Sequence, residues 1–136
     1  AKQLECKIMN KRIIQTNQAP TAIGTSSQAI RIGDFIYTSG QISLDAQSEK
    51  FISGEIEEET ERTIKNISAI LQADGLSLNN VIKTTVYLLD LDHFSRMNHV
   101  YENYFGGNKP ARACVQVAAL PKGAKIEIDA IASIHS

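Results

Sequence analysis

Three charged residues stand inside segments that otherwise have the pattern of buried strands. Arg112 lies in the apolar run 110–115, and Glu127 and Asp129 lie in the run 126–132. A charge in a half-buried strand is costly unless it is paired or holds a ligand. A guanidinium suits a carboxylate ligand, and a partly buried carboxyl can accept and return a proton. Arg112 and Glu127 are therefore candidate site residues. The alternative is a structural ion pair from Arg112 to Glu127 or Asp129.

The other nucleophilic and metal-ligating side chains are scattered. Cys6 and Cys114 form no CxxC motif, and a disulfide between them is the less favoured alternative. The histidines have no partner at the spacing of metal ligands on a helix face, so the sequence predicts no bound metal. Cys114 has apolar neighbours and is interpreted as a packing residue or a supplier of backbone groups rather than a nucleophile. The acidic cluster 57–61 is interpreted as a solvated first helical turn.

Composition restricts the class of protein. The 136 residues suffice for one domain with a real core, and 43% are hydrophobic against 21% charged, as in ordinary globular proteins. The 14 Lys+Arg and 15 Asp+Glu give a formal net charge of -1, which argues against a nucleic-acid or anionic-membrane binder. No apolar run is long enough for a membrane span or a signal region. We therefore expect a cytoplasmic protein.

The order of strand and helix patterns along the chain predicts an α+β domain over residues 11–136, after an N-terminal extension at residues 1–10. Period-2 and β-branched segments predict strands, including the hairpin arms that begin at Gln28 and Phe35. Apolar residues at helical spacing predict two helices, the first from Ile56 to about Asp74 and the second capped by Asp92. The first helix has the apolar stripe Ile64, Ile67, Ile70 and Leu71, and the second has Phe94, Met97, Tyr101 and Phe105. The order is β-β-β-α-β-α-β-β, with both helices packed on one face of a mixed sheet. Gly40 interrupts a strand pattern, which indicates a bulge or a close backbone approach.

The uncovered face of this sheet predicts self-association. In the last strand, apolar and small residues fall on both faces, so neither face has the uniformly polar residues typical of a solvent-exposed face. Burial of the second face between subunits would solve this, and a homo-oligomer follows as a hypothesis. We expect Arg112 and Glu127 on the face that oligomerisation closes.

Several segments together resemble one family. They are Thr38-Ser39-Gly40-Gln41-Ile42, 81–86, 98–102, Pro110-Ala111-Arg112-Ala113-Cys114-Val115, 120–122 and 126–132. Over residues 11–134 the chain is similar to the Rid family of reactive-intermediate (enamine/imine) deaminases, in its RidA (YjgF) branch. The resemblance implies a chorismate-mutase-like fold and a homotrimer with clefts between subunits. It also implies hydrolysis of 2-imino acids or their enamine tautomers, such as 2-iminobutanoate and 2-iminopropanoate, to 2-keto acids and ammonia, without a metal or organic cofactor.

The resemblance also assigns roles to individual residues. It implies that Arg112 binds the substrate carboxylate and that Glu127 positions or activates water. The backbone around Ser39, Gly40 and Cys114 would line the same pocket, and Asn98 would be a further pocket residue. Ser26 is also a candidate substrate-binding residue.

The loop at residues 22–26 departs from the family pattern. Relatives commonly carry Pro-Tyr after Ala-Ile-Gly, with the tyrosine covering the substrate, whereas this chain has Thr25 and Ser26 there. A wider cleft could weaken binding of small imino acids or admit a larger ligand. A non-catalytic binder or sensor of small carboxylate metabolites is therefore the alternative function. Ribonuclease activity, described for some relatives, is a poor third because no basic stripe is present.

Overall fold

A six-stranded mixed sheet with two helices makes up the computed structural model, which describes residues 11–136. The strands are β1 (Lys11–Ile14), β2 (Ala29–Ile32), β3 (Phe35–Thr38), β4 (Val81–Leu88), β5 (Ala111–Gln116) and β6 (Ile126–Ser133), and the helices are α1 (Ile56–Gln72) and α2 (Phe94–Phe105). The predicted α+β class and the order β-β-β-α-β-α-β-β are confirmed. The extension predicted for residues 1–10 and Cys6 lie outside the described residues.

The strands lie in the order β1-β2-β3-β6-β4-β5. All neighbours pair antiparallel except β4 and β5, which are parallel and joined through α2. The β2–β3 hairpin turns at Gly33, whose φ of 56° is a left-handed conformation that glycine adopts without a steric penalty. The long-range pairing places β5 at one edge of the sheet and β6 near its centre.

Both helices contribute apolar side chains to one core on a single face of the sheet. The stripe predicted on α1, formed by Ile64, Ile67, Ile70 and Leu71, is fully buried, together with alternate residues of β4 and β6. Gly75, at φ 77°, follows the end of α1, and the Leu76 N–H donates to the Leu71 carbonyl at 3.0 Å. Neither helix among residues 11–136 is long and apolar enough to span a membrane.

Two local predictions are wrong. Asp92 does not cap α2, because Asp90 accepts the Asp92 N–H at 2.9 Å and caps a short 3₁₀ turn that runs into the helix. The acidic cluster is not wholly solvated, because Glu59 is fully buried. Its carboxylate accepts the Lys125 backbone N–H at 2.9 Å and the Lys125 ammonium at 3.3 Å. Glu59 therefore joins α1 to the residue that precedes β6.

Candidate active site

Arg112 and Glu127 lie on opposite faces of the sheet. Arg112 on β5 pairs with Thr84 of β4, and Glu127 on β6 pairs with Tyr87 of β4. Paired residues share a face, and positions three apart on one strand point to opposite faces. Thr84 is fully buried beneath the helices, so Arg112 is on the helix side and Glu127 on the open side. The expectation that both lie on the open face is therefore wrong for Arg112.

The Arg112 guanidinium is held against two aromatic rings of α2. It lies 4.7 Å from the Tyr101 ring centroid and 5.2 Å from that of Phe94. The Tyr101 hydroxyl is hydrogen-bonded to buried Thr84 at 2.7 Å, which fixes the ring beneath the guanidinium. Arg112 Nη1 also donates to Asn98 Oδ1 at 2.7 Å. The side chain is thus oriented in advance, with most of its N–H donors still available.

The alternative for Arg112, a structural ion pair to Glu127 or Asp129, is absent from residues 11–136. Asn98 is its hydrogen-bonding partner in this part of the chain, and Asp129 instead accepts the Tyr87 hydroxyl at 3.1 Å. Arg112 and Asn98 line an open cavity of about 680 Å³ at the end of α2, and Lys109 lines it as well. The carboxylate of Glu102 lines it too, so the cavity has two cationic side chains and one anionic side chain.

Glu127 packs directly against the backbone of Gly40. A Cβ at Gly40 would lie 2.1 Å from Glu127 Oε2, closer than any real contact, so the predicted close approach is confirmed. Strand β3 ends at Thr38, and pairing resumes where the Gln41 N–H donates to the Ile128 carbonyl at 2.8 Å. The break in the strand leaves room for the carboxyl.

The Glu127 carboxyl is partly buried and accepts no hydrogen bond from any side chain or backbone group of residues 11–136. Burial raises its pKa, and the nearby charge of Asp129 raises it further. An unpaired carboxyl with a raised pKa, facing a cavity, is typical of a general acid or base.

A cavity of about 340 Å³ adjoins Glu127 on the open side. Ser26, Ser39 and Gly40 line it, and the Ser26 hydroxyl donates to the Ile23 carbonyl at 3.0 Å. We call it the Glu127 cavity.

The predicted site residues therefore fall into two groups within one protomer. Asn98 lies with Arg112, while Ser26, Ser39 and Gly40 lie with Glu127. Cys114 lines neither cavity. It packs against the core, and burial raises the pKa of its thiol while the Arg112 charge opposes the rise.

Sequence reasoning missed residues that support both groups. The helical spacing of Phe94 and Tyr101 predicts core residues and gives no sign that a distant arginine stacks on them. The pattern around Gln28 predicts only the start of a strand, yet its buried side chain donates to the Pro20 carbonyl in the segment that borders the Glu127 cavity. Only long-range contacts identify these roles.

Comparison with known proteins decides the family. The family model described as Endoribonuclease L-PSP matches residues 16–134. RidA from the Antarctic bacterium Psychrobacter sp. superimposes with a TM-score of 0.86 at 44% identity, covering 90% of this chain and 99% of that one. The chain belongs to the Rid (RidA/YjgF) family.

Rid relatives carry different names. A RutC family protein of Pyrococcus abyssi is 52% identical over 124 residues, covering 91% of this chain and 98% of that protein. The 2-iminobutanoate/2-iminopropanoate deaminase of Rattus norvegicus is 49% identical over 122 residues, covering 90% of this chain and 89% of that protein. The Rid resemblance and its fold are thus confirmed.

Proposed function

We propose that this Rid protein hydrolyses 2-imino acids, or their enamine tautomers, to 2-keto acids and ammonia. The observation that carries the proposal is the unpaired Glu127 carboxyl with its raised pKa, facing a cavity. The stacked guanidinium of Arg112 and the name of the rat relative support it.

The proposed reaction uses the two groups of site residues, one around Arg112 and one around Glu127. The Arg112 guanidinium binds the substrate carboxylate, with Asn98 fixing its orientation. Glu127 accepts a proton from water as the water oxygen bonds to the imine carbon, and the C=N electron pair moves to nitrogen, which takes up a proton from solvent. The resulting carbinolamine then collapses. The hydroxyl proton passes to solvent as the C=O bond forms, the proton held by Glu127 is transferred to the amine, and ammonia departs as the C–N bond breaks.

We further propose that two subunits of a homotrimer form each cleft. Within one protomer, the sheet separates Arg112 from Glu127, so the arginine that serves Glu127 must come from a second copy. The open face also exposes Tyr37 and Phe35 by 45% and 41%, and their apolar surface suits burial against another subunit.

An imine-hydrolysis assay tests the function. An amino-acid oxidase generates 2-iminobutanoate in situ, and loss of the imine is followed with and without micromolar protein. We expect wild type to accelerate the loss, and Arg112→Ala to lower kcat/KM by about 100-fold. Arg62→Ala, which removes an exposed arginine 3.6 Å from Asp45, is the matched control. No acceleration by wild type would reject deaminase activity, and equal activity in Arg112→Ala would reject this site.

Complementation tests the shared cleft. Arg112→Ala and Glu127→Gln are each expected to be nearly inactive alone. If each cleft takes its arginine and its glutamate from different subunits, random reassembly of a 1:1 mixture restores about a quarter of the clefts. Mixing without subunit exchange is the control. A mixture that exchanges subunits but stays inactive would contradict the shared cleft.

A non-catalytic carboxylate binder is the second candidate. The wall beside Glu127 offers the small side chain of Ser26, whose hydroxyl already donates to the Ile23 carbonyl, and this gives little cover for a reacting imine. Calorimetric titration with 2-oxobutanoate, together with the imine-hydrolysis assay, distinguishes a deaminase from a non-catalytic binder. Binding that depends on Arg112, without acceleration of imine loss, would favour the binder.

A further inference from the structure

We propose that this site prefers 2-imino acids with bulky apolar side chains, and that Ile23 is the residue that selects them. The inference rests on the proposed deaminase function and specifies its substrate class.

The first argument is the size of the Glu127 cavity. One protomer alone provides about 340 Å³, roughly the space of eleven water molecules. The carboxylate of a bound imino acid would lie at Arg112, and its imine carbon beside Glu127. A substrate side chain of one or two carbons would leave most of the cavity to water, whereas a branched or aromatic side chain would displace that water.

The second argument is the lining of this cavity. The exposed area of the wall is more apolar than polar, with Ile23, Ile42 and Pro121 among its apolar members. Its polar members, besides Glu127, are Thr21, Ser26, Gln28, Ser39, Gln41 and Lys122. Ile23 is 77% exposed, more than any other large apolar residue in the part of the chain described. Within one protomer Ile23 therefore presents apolar surface at the rim of the cavity, and a bulky apolar ligand held in the two-subunit cleft could cover that surface.

The third argument is that this wall is built before the ligand arrives. Gln28 is 3% exposed, and its amide nitrogen donates to the carbonyls of Thr16, Ala19 and Pro20 at 3.0, 3.2 and 2.7 Å. Its amide oxygen accepts the Thr16 N–H at 2.7 Å. The Gln28 side chain therefore fixes the path of residues 16–20, which lead into the wall of the Glu127 cavity.

A second anchor holds the same segment closer to Ile23. The Glu49 carboxylate accepts the Thr21 hydroxyl at 2.8 Å and the Thr21 N–H at 3.2 Å. Glu49 has a φ of 61°, a left-handed conformation that is costly for a residue other than glycine. Because Gln28 and Glu49 already hold this segment, ligand binding carries no further entropic cost of ordering the wall.

The competing substrate class is an imine with an acidic side chain. Lys122 also lines the Glu127 cavity, and its ammonium has no ion-pair partner within residues 11–136. The apolar lining favours the apolar class, because burial of a second carboxylate among Ile23, Ile42 and Pro121 is costly unless Lys122 pairs with it. The acidic class is kept as an outcome of the test.

The experiment compares imines made in situ by amino-acid oxidases from leucine, alanine and aspartate. Each rate is corrected for spontaneous hydrolysis, and kcat/KM values are compared for wild type. We expect the leucine-derived imine to exceed the alanine-derived imine by about tenfold or more. A leucine-to-alanine ratio at or below one would overturn the inference while leaving the deaminase function intact, as would a preference for the aspartate-derived imine. No acceleration of any imine would overturn both.

Variants test the role of Ile23. Because its side chain is no part of the protomer's core, Ile23→Ala is expected to fold normally and to lower the leucine-to-alanine ratio about tenfold. Ile52→Ala is the matched control, since Ile52 is also exposed, at 40%, and lines a different cavity. It should leave the ratio unchanged. An Ile23→Ala ratio equal to that of wild type would overturn the assignment of Ile23.

Discussion

Replacing Gly40 by alanine tests whether the position of the Glu127 carboxyl matters. The added Cβ would lie 2.1 Å from Glu127 Oε2 and 2.8 Å from Glu127 Cδ. The backbone on both sides of Gly40 is held, because the Ser39 N–H donates to the Gln28 carbonyl at 2.9 Å and the Gln41 N–H to the Ile128 carbonyl at 2.8 Å. The carboxyl, at the end of a flexible side chain, must therefore move.

The size of the effect follows from that displacement. An ordinary contact needs about 3.4 Å, so the carboxylate oxygen must retreat by about 1.3 Å. A misplacement of about 1 Å in a catalytic group can cost about 100-fold in rate. Gly40 is not at positive φ, so alanine is sterically allowed in the backbone and should change the free energy of unfolding by less than about 1 kcal/mol.

The assay is kcat for imine hydrolysis, with the melting temperature measured in parallel. We expect Gly40→Ala to lose about 100-fold in kcat at nearly unchanged Tm. Gly107→Ala is the matched control, because a Cβ at Gly107 meets no atom within 4 Å and its φ is not positive. A Gly40→Ala variant with the kcat of wild type would refute the reasoning, since it would show that hydrolysis tolerates a displaced carboxyl.

Three further predictions concern stability, pH and the cavity wall. Glu59→Ala removes the buried partner of Lys125 and should lower the free energy of unfolding by about 2–4 kcal/mol, measured by urea denaturation. An unchanged urea midpoint would contradict this. Asp129→Asn removes one of the two causes that raise the pKa of Glu127, so the acid limb of the kcat–pH profile, where Glu127 loses its ionised form, should move to lower pH. A limb that stays in place or moves upward would show that Asp129 does not act on the titrating group. Ser26→Tyr places an aromatic ring at the Glu127 cavity and should raise kcat/KM for 2-iminobutanoate while lowering it for the leucine-derived imine. Unchanged or lower rates with 2-iminobutanoate would count against a role for the missing aromatic.

Local patterns were sufficient to predict much of the fold. The helical spacing of Ile64, Ile67 and Ile70 identifies the buried side of α1, because an apolar stripe with this period is removed from water when that side of the helix packs on the core. Gly40 was predicted as a close approach, since glycine within a strand pattern often marks a place where a side chain needs the room of a missing Cβ.

The face occupied by Arg112 could not be predicted from the local pattern. Strand β5 is an edge strand, and its residues are exposed or partly exposed on both sides, so alternation of polar and apolar residues is uninformative. The face is set by the pairing of Arg112 with Thr84 and by the aromatic rings of α2. Glu59 was missed for a related reason, because the group that satisfies its buried charge, Lys125, lies 66 positions away in sequence.

The contacts of Gln28 have a consequence for how this protein can diversify. The two N–H groups of its amide are shared among three main-chain carbonyls, and its amide oxygen accepts a main-chain N–H, so none of these contacts depends on which side chains the bound segment carries. Side chains at 22, 23, 25 and 26 can therefore be exchanged while the path of the chain into the cavity wall is kept, whereas Gly24 is retained because its φ of 70° is a left-handed conformation that strains other residues. A library randomised at those positions, with Gln28 retained, should yield folded proteins that differ in substrate range, and this segment is the natural place to evolve new selectivity on the same framework.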